Sequence, residues 1–212
     1  MKNIYMYIVI CLLLGLITGC VGIGGEQINL SHEPLNTVPQ KYTEKLTIET
    51  NANDLREEKD RIGRATVTVF AITSGSITTT NPVGEQMVSQ IVDALSSLGY
   101  QANKSTNVST NTSKTLEPLI LKVELNEIWF RNYNWIFPLV PTWGDIKITV
   151  FLENSNGKKL FEKAYQGGGS SLCLSGHCAF NNATKEAMTE VLNALVKDFS
   201  SQPVRDLITS VK

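Results

Sequence analysis

Ile146, Ile148, Val150 and Leu152 fall on alternate positions, and the run ends in Asn154, Ser155, Asn156 and Gly157 before residues 158–166 turn back. Alternation with period two is the signature of a strand with one buried and one solvated face. Asn-Gly is the favoured pair for a tight hairpin, because both residues tolerate positive φ. A second run behaves in the same way. Leu119, Leu121, Val123 and Leu125 point one way, while Lys122, Glu124 and Asn126 point the other. Such strands need neighbours, so the chain must build a sheet with an apolar face to cover.

Shorter alternating runs lie upstream, at residues 45–49 and 65–70, separated by the charged, turn-rich stretch NANDLREEKDRIG. That stretch reads as a solvated turn, not as a carboxylate pair for acid–base work. Two helices are available as cover. Asn81 and Pro82 offer an N-cap and a first-turn proline, Met87, Ile91, Ala94, Leu95 and Leu98 share a face, and Gly99 ends the helix. Asn182 can cap a second helix, with Met188, Val191, Leu192, Leu195 and Phe199 as its stripe and Pro203 as its breaker before a short amphipathic turn. The expected fold is α+β: a mostly antiparallel sheet with two main helices packed on one face, in two layers. Gly167, Gly168 and Gly169 lack the residues of a phosphate loop and read as a flexible link.

The chain opens with MKNIYMYIVICLLLGLITGC, a Lys followed by an apolar run too short to span a bilayer convincingly. Residues Ile17, Thr18, Gly19 and Cys20 resemble the bacterial lipobox. The resemblance implies cleavage before Cys20 and acylation of its thiol, giving firm attachment to a membrane by several chains. Val21 stands where Asp would mark inner-membrane retention in enteric bacteria, so the outer membrane is the expected leaflet, with the domain facing the periplasm. The expected organisation is a signal peptide at 1–19, a lipidated N-terminus and tether at 20–43, and one domain at 44–212. A fully extended 20-residue tether would reach about 65 Å, although residues 27–30 could instead pair as an edge strand. The net charge of −1 provides no electrostatic footprint for nucleic acid.

Beyond the leader, the order of elements carries a second resemblance. A strand, Asp54-Leu55-Arg56, another strand and a helix ending Leu98-Gly99-Tyr100 precede an apolar strand. Gly144-Asp145-Ile146 then opens the hairpin with Asn156-Gly157-Lys158, and a helix with Leu192-Asn193-Ala194-Leu195 follows. This arrangement resembles the YajG-like lipoproteins, bacterial envelope proteins without an assigned activity. The resemblance implies a lipid-anchored protein that is not an enzyme, and it supplies no catalytic residues, cofactor or metal. The aromatic connection at 129–143 and the two-cysteine loop depart from it.

Those two departures are the candidate sites. Cys11 lies in the leader and Cys20 at the lipobox, which leaves Cys173 and Cys178 in an oxidising compartment. Three readings compete for CLSGHC. A zinc site lacks a second ligand pair. A nucleophilic thiolate would use His177 or the nearby helix. A disulfide closing the six-residue ring is the leading reading. Segment 129–143 holds all three tryptophans. Its aromatics, Trp129, Tyr133, Trp135, Phe137 and Trp143, are either a hairpin end packed on the core or an exposed patch for a protein or the lipid interface, with Arg131 and Asp145 at its flanks. The expected function is a non-catalytic accessory module that contacts an envelope protein complex or a cell-wall component through this segment. The alternative is a small-ligand or lipid-binding module with an apolar pocket.

Overall fold

Three long strands carry the architecture. In a computed structural model, which describes residues 25–35, 37, 42, 44–67, 72–105, 119–133 and 139–210, they are β7 (Leu119–Tyr133), β8 (Val140–Glu153) and β9 (Lys159–Cys173). They pair antiparallel in the order β7-β8-β9. The predicted Asn-Gly turn joins β8 to β9, with Gly157 at φ 75°. The other side of β7 is shared by shorter strands, β2 (Lys45–Glu49), β3 (Asn53–Asp54) and β4 (Gly63–Val67), each parallel to it at successive heights. Beyond them lie β6 (Gln101–Ser105), parallel to β2, and β5 (Ile72–Thr79), antiparallel to β4. The sheet is antiparallel over most of its paired length, with a mixed flank.

Helices α1 (Val83–Leu98) and α2 (Gly176–Phe199) cover one face, and α3 (Gln202–Thr209) closes the core with Val204 and Ile208. The expected α+β, two-layer fold is the observed one. Both predicted stripes are core: Met87, Ile91, Ala94, Leu95 and Leu98 on α1, and Met188, Val191, Leu192, Leu195 and Phe199 on α2, are all buried. They meet Ile146, Ile148, Val150 and Leu152 of β8 and Leu121, Val123 and Leu125 of β7. Gly99 adopts φ 104° and caps α1 through its N–H, which removes the Cβ penalty at that position.

Four expectations are corrected. The helix expected from Asn182 begins at Gly176, because Ser175 is the N-cap and its hydroxyl accepts from the Cys178 N–H. Asn81 does not cap α1. Pro82 holds the cap position, and the Asn81 carbonyl accepts from the Gln86 side chain.

The glycines at 167–169 are not a link but part of β9. A Cβ at Gly169 would lie 1.8 Å from the Ala183 carbonyl oxygen, and one at Gly167 would lie 2.2 Å from that of Ala187. Only glycine lets the α2 backbone approach the strand so closely. The same approach brings the Glu190 and Glu186 carboxylates onto the Gly168 and Ser170 amides at 2.8 and 2.7 Å. These carboxylates occupy two edge N–H groups of β9 that another strand would otherwise use.

The fourth correction concerns the tether. Glu26–Ile28 forms β1, an edge strand parallel to β5, and Ile28 and Leu30 are buried. The Leu30 amide donates to Gln86, and Glu33 pairs with Lys185 at 2.6 Å. Residues 26–30 therefore belong to the domain that was expected to start at 44, through the edge-strand alternative.

A candidate binding face and an aromatic end

A one-residue irregularity in β7 decides where the aromatics go. Register shifts between Leu125 and Glu127, opposite Ile148 and Lys147 of β8. Before the shift the odd-numbered residues of β7 face the helices, and after it Ile128, Phe130 and Asn132 do so. A bulge adds one residue and rephases the pleat. Trp129 and Arg131 are thereby turned to the face away from the helices. Trp129 stands opposite Asp145, and Arg131 stands opposite Trp143. The four residues are thus neighbours on one face.

The loop between β3 and β4 folds over this face. Its anchor is Arg56, 6% exposed, whose guanidinium pairs with Asp54 at 2.7 Å and donates to the Lys59 and Arg61 carbonyls. Burial alone would raise the Asp54 carboxyl, but hydrogen bonds and charge from Arg56 outweigh it and hold the group below its ordinary range. This explains the Asp-Leu-Arg sequence as a brace. Glu58 then ties Arg61 and Arg64 together at 2.5 and 2.7 Å. The Arg64 guanidinium lies 5.3 Å from the centre of the Trp129 ring, a cation–π contact.

Between the loop and β7 lies a groove of about 600 Å³, lined among others by Leu55, Glu58, Arg64, Trp129 and Arg131. Leu55 is half exposed on its rim. The Trp129 Nε1 and Arg64 Nε are buried N–H donors without a hydrogen-bond partner. The groove is polar, with Arg56, Arg64 and Arg131 balanced by Glu57, Glu58 and Glu127 around Trp129, and it is open along one side.

Of the five aromatics expected to bind a partner, the structure brings Trp129 and Trp143 to the same outer face. Trp129 is half-buried beneath Arg64, and Trp143 is 46% exposed. Tyr133 ends β7, its side chain lying outside the described part, and Trp135 and Phe137 lie outside the described residues. Phe130, which sequence reasoning passed over, is the fully buried aromatic among the described residues of the segment.

Cys173 and Cys178 form a disulfide, with Cα atoms 5.9 Å apart. The bond joins the last residue of β9 to the first turn of α2, and Asn182 Nδ2 lies within 3.6 Å of both sulfurs. With both sulfurs bonded, neither is a free thiolate. His177 is exposed and sits 3.9 Å from Glu26 in β1. Burial raises the Glu26 carboxyl, and the nearby imidazole acts in the opposite direction. The brace therefore also adjoins the point where the chain enters the sheet, a proximity no spacing in the sequence reveals.

No protein-family model and no curated protein matches the chain. Among solved structures, it is similar to a Xanthomonas campestris protein described as belonging to family DUF330. That likeness has a TM-score of 0.53 and 13% identity, and it covers 86% of this chain and 96% of the other. It shows the fold alone. A minor lipoprotein from Acinetobacter baumannii aligns over 81% of this chain and 95% of its own at 13% identity, with a TM-score of 0.37, which carries no argument.

Proposed function

We propose that this chain is a lipid-anchored lipoprotein of the bacterial envelope, held by Cys20 at the outer membrane and facing the periplasm, and that it acts as a non-catalytic accessory module. Its binding surface is the groove on the outer face of the sheet. The observation that carries this reading is the Trp129–Arg64 pair with Arg131 beside it, at the floor of a groove rimmed by exposed Leu55. Tryptophan and arginine supply much of the energy of protein interfaces, since each couples a flat apolar surface to hydrogen-bond donors. The three arginines and three glutamates on the groove's walls favour a partner protein segment that carries charges of both signs. The small-ligand alternative is disfavoured by the shape, because ligand pockets are enclosed and mainly apolar, whereas this groove is open and lined by charged side chains.

Incorporating a photocrosslinker at position 131 tests the reading in living cells. A discrete adduct is expected, and Trp129→Ala should abolish it while changing thermal unfolding little. An adduct of unchanged yield in the Trp129→Ala protein would rule the groove out as the binding site. For the anchor, Cys20→Ser should move the protein from the membrane pellet to the soluble fraction.

A further inference from the structure

One row of paired residues crosses the sheet: Glu26 beside Ile77, Ile77 beside Gly63, Gly63 beside Phe130, Phe130 beside Gly144, and Gly144 beside Gly169. β7 and β9 run through this row toward their C-terminal ends, whereas β1 runs the other way. The chain therefore reaches Glu26 from the side on which β7 and β9 finish. In the next row toward that end, Ser76 pairs with Arg64, Arg64 with Arg131, Arg131 with Trp143, and Trp143 with Ser170.

That end is also where large apolar side chains are left in water. Leu55, Trp143, Leu172 and Leu174 are the exposed large hydrophobics among the described residues, and three of the four belong here, at 46, 58 and 72% exposure from Trp143 to Leu174. No Asp, Glu, Lys or Arg occurs in residues 65–84, 132–144 or 164–184, which supply the strand ends of β4, β5, β7, β8 and β9 and the first turns of α2. Just inside lie Arg64 and Arg131.

Six residue steps separate Cys20 from Glu26. Fully extended, they hold the row at Glu26 within about 20 Å of an acylated Cys20, far closer than a tether running to residue 43 would. The end at which the chain enters the sheet at Glu26 is the apolar one. We propose that it is a bilayer-docking surface. Trp143, Leu172 and Leu174 enter the headgroup zone of the leaflet that holds the Cys20 acyl chains. Tryptophan suits this zone because its ring is apolar and its N–H is polar. The anchor raises the effective concentration of the surface at the bilayer, so a small apolar area suffices. The inference rests on the Cys20 anchor proposed above. It leaves the groove at Trp129 free for a partner, on a face set back from the membrane.

The test uses the full-length protein, purified from membranes with its N-terminus as processed in cells. Trp129→Phe and Trp135→Phe leave Trp143 as the single emitter. The protein is reconstituted into phosphatidylethanolamine–phosphatidylglycerol vesicles containing brominated phosphatidylcholine. Docking predicts quenching of Trp143 by about two-fold or more and a blue-shifted maximum, as expected for an indole at the interface. Leu172→Ser with Leu174→Ser should relieve most of the quenching without lowering the unfolding temperature or the pelleting. Pelleting with unquenched emission overturns the inference, and a protein adduct from a crosslinker at 143 in cells would then assign the surface to a protein. Mass spectrometry of the N-terminus reports acylation separately, so loss of the anchor and loss of docking are told apart.

Discussion

The two ends of the sheet are built from opposite materials. At one end, β7, β8 and β9 run into uncharged stretches, and the described residues there carry exposed Trp143, Leu172 and Leu174. At the other, the turn after β8 reads NSNGK and is surrounded by ion pairs: Lys122 with Glu49 and Glu153, Lys159 with Glu162, and Lys163 with Asp198. The polar end is what a domain in water needs, since exposed ion pairs add little stability but keep a surface solvated. An apolar end has no such purpose in water, and its cost is accepted only where something else covers it. The difference teaches that the strands are directional carriers. They place one composition toward the point where the chain enters and the other away from it.

Glycine separates the ends most sharply. Gly169, in the row of Glu26, is required by a close approach: any Cβ there meets the Ala183 carbonyl. Gly169→Val should therefore push α2 off β9 and cost at least about 3 kcal/mol, measured as a fall in the urea midpoint. A loss below 1 kcal/mol, on the order of an ordinary surface change, would show that α2 does not brace this end.

The disulfide comes next. Replacing Cys173 and Cys178 together by Ser should cost about 2 kcal/mol through the freed six-residue loop, with the far end unaffected in hydrogen exchange. Protection lost equally at the Asn154 turn would mean that the two ends unfold as one unit. The smallest effect is expected at the polar end. Gly157 has positive φ but open space around its Cβ position, so Gly157→Ala should cost only about 1 kcal/mol, read from the same urea midpoint. A cost matching that of Gly169→Val would erase the distinction between a glycine needed for contact and one needed for backbone conformation.

Much of the fold was legible. Helix stripes were visible because their period of 3.6 survives wherever a helix packs on one face, as Met87 to Leu98 does. The β8–β9 hairpin was visible because Asn-Gly fixes the turn locally. What was not legible depended on partners distant in sequence. The start of α2 at Gly176 was hidden because its first turn is held by Ser175 and by a disulfide back to β9, while Asn182 offered a plausible but incorrect cap. The triple glycine looked like a linker because only α2, packed against it, shows why side chains are excluded. Residues 26–30 looked like a tether because a three-residue edge strand has too little alternation to read without β5 beside it. Within the candidate site, Arg131 and Asp145 were expected near the aromatics, but the groove itself was not foreseen.

The sequence alone determined the resemblance of residues 17–20 to a lipobox, the α+β class, the helical stripes and the pair Cys173 and Cys178, because each is a matter of local composition or short-range period. The tertiary structure decided which aromatics face outward. Alternation continued from Leu119 would send Trp129 into the core, but the register shift after Leu125 reverses the pleat and turns it onto the open face beside Arg64. It also decided that Trp143, Leu172 and the chain's entry at Glu26 share one end, since strand direction and register are set by pairing between segments far apart in the chain.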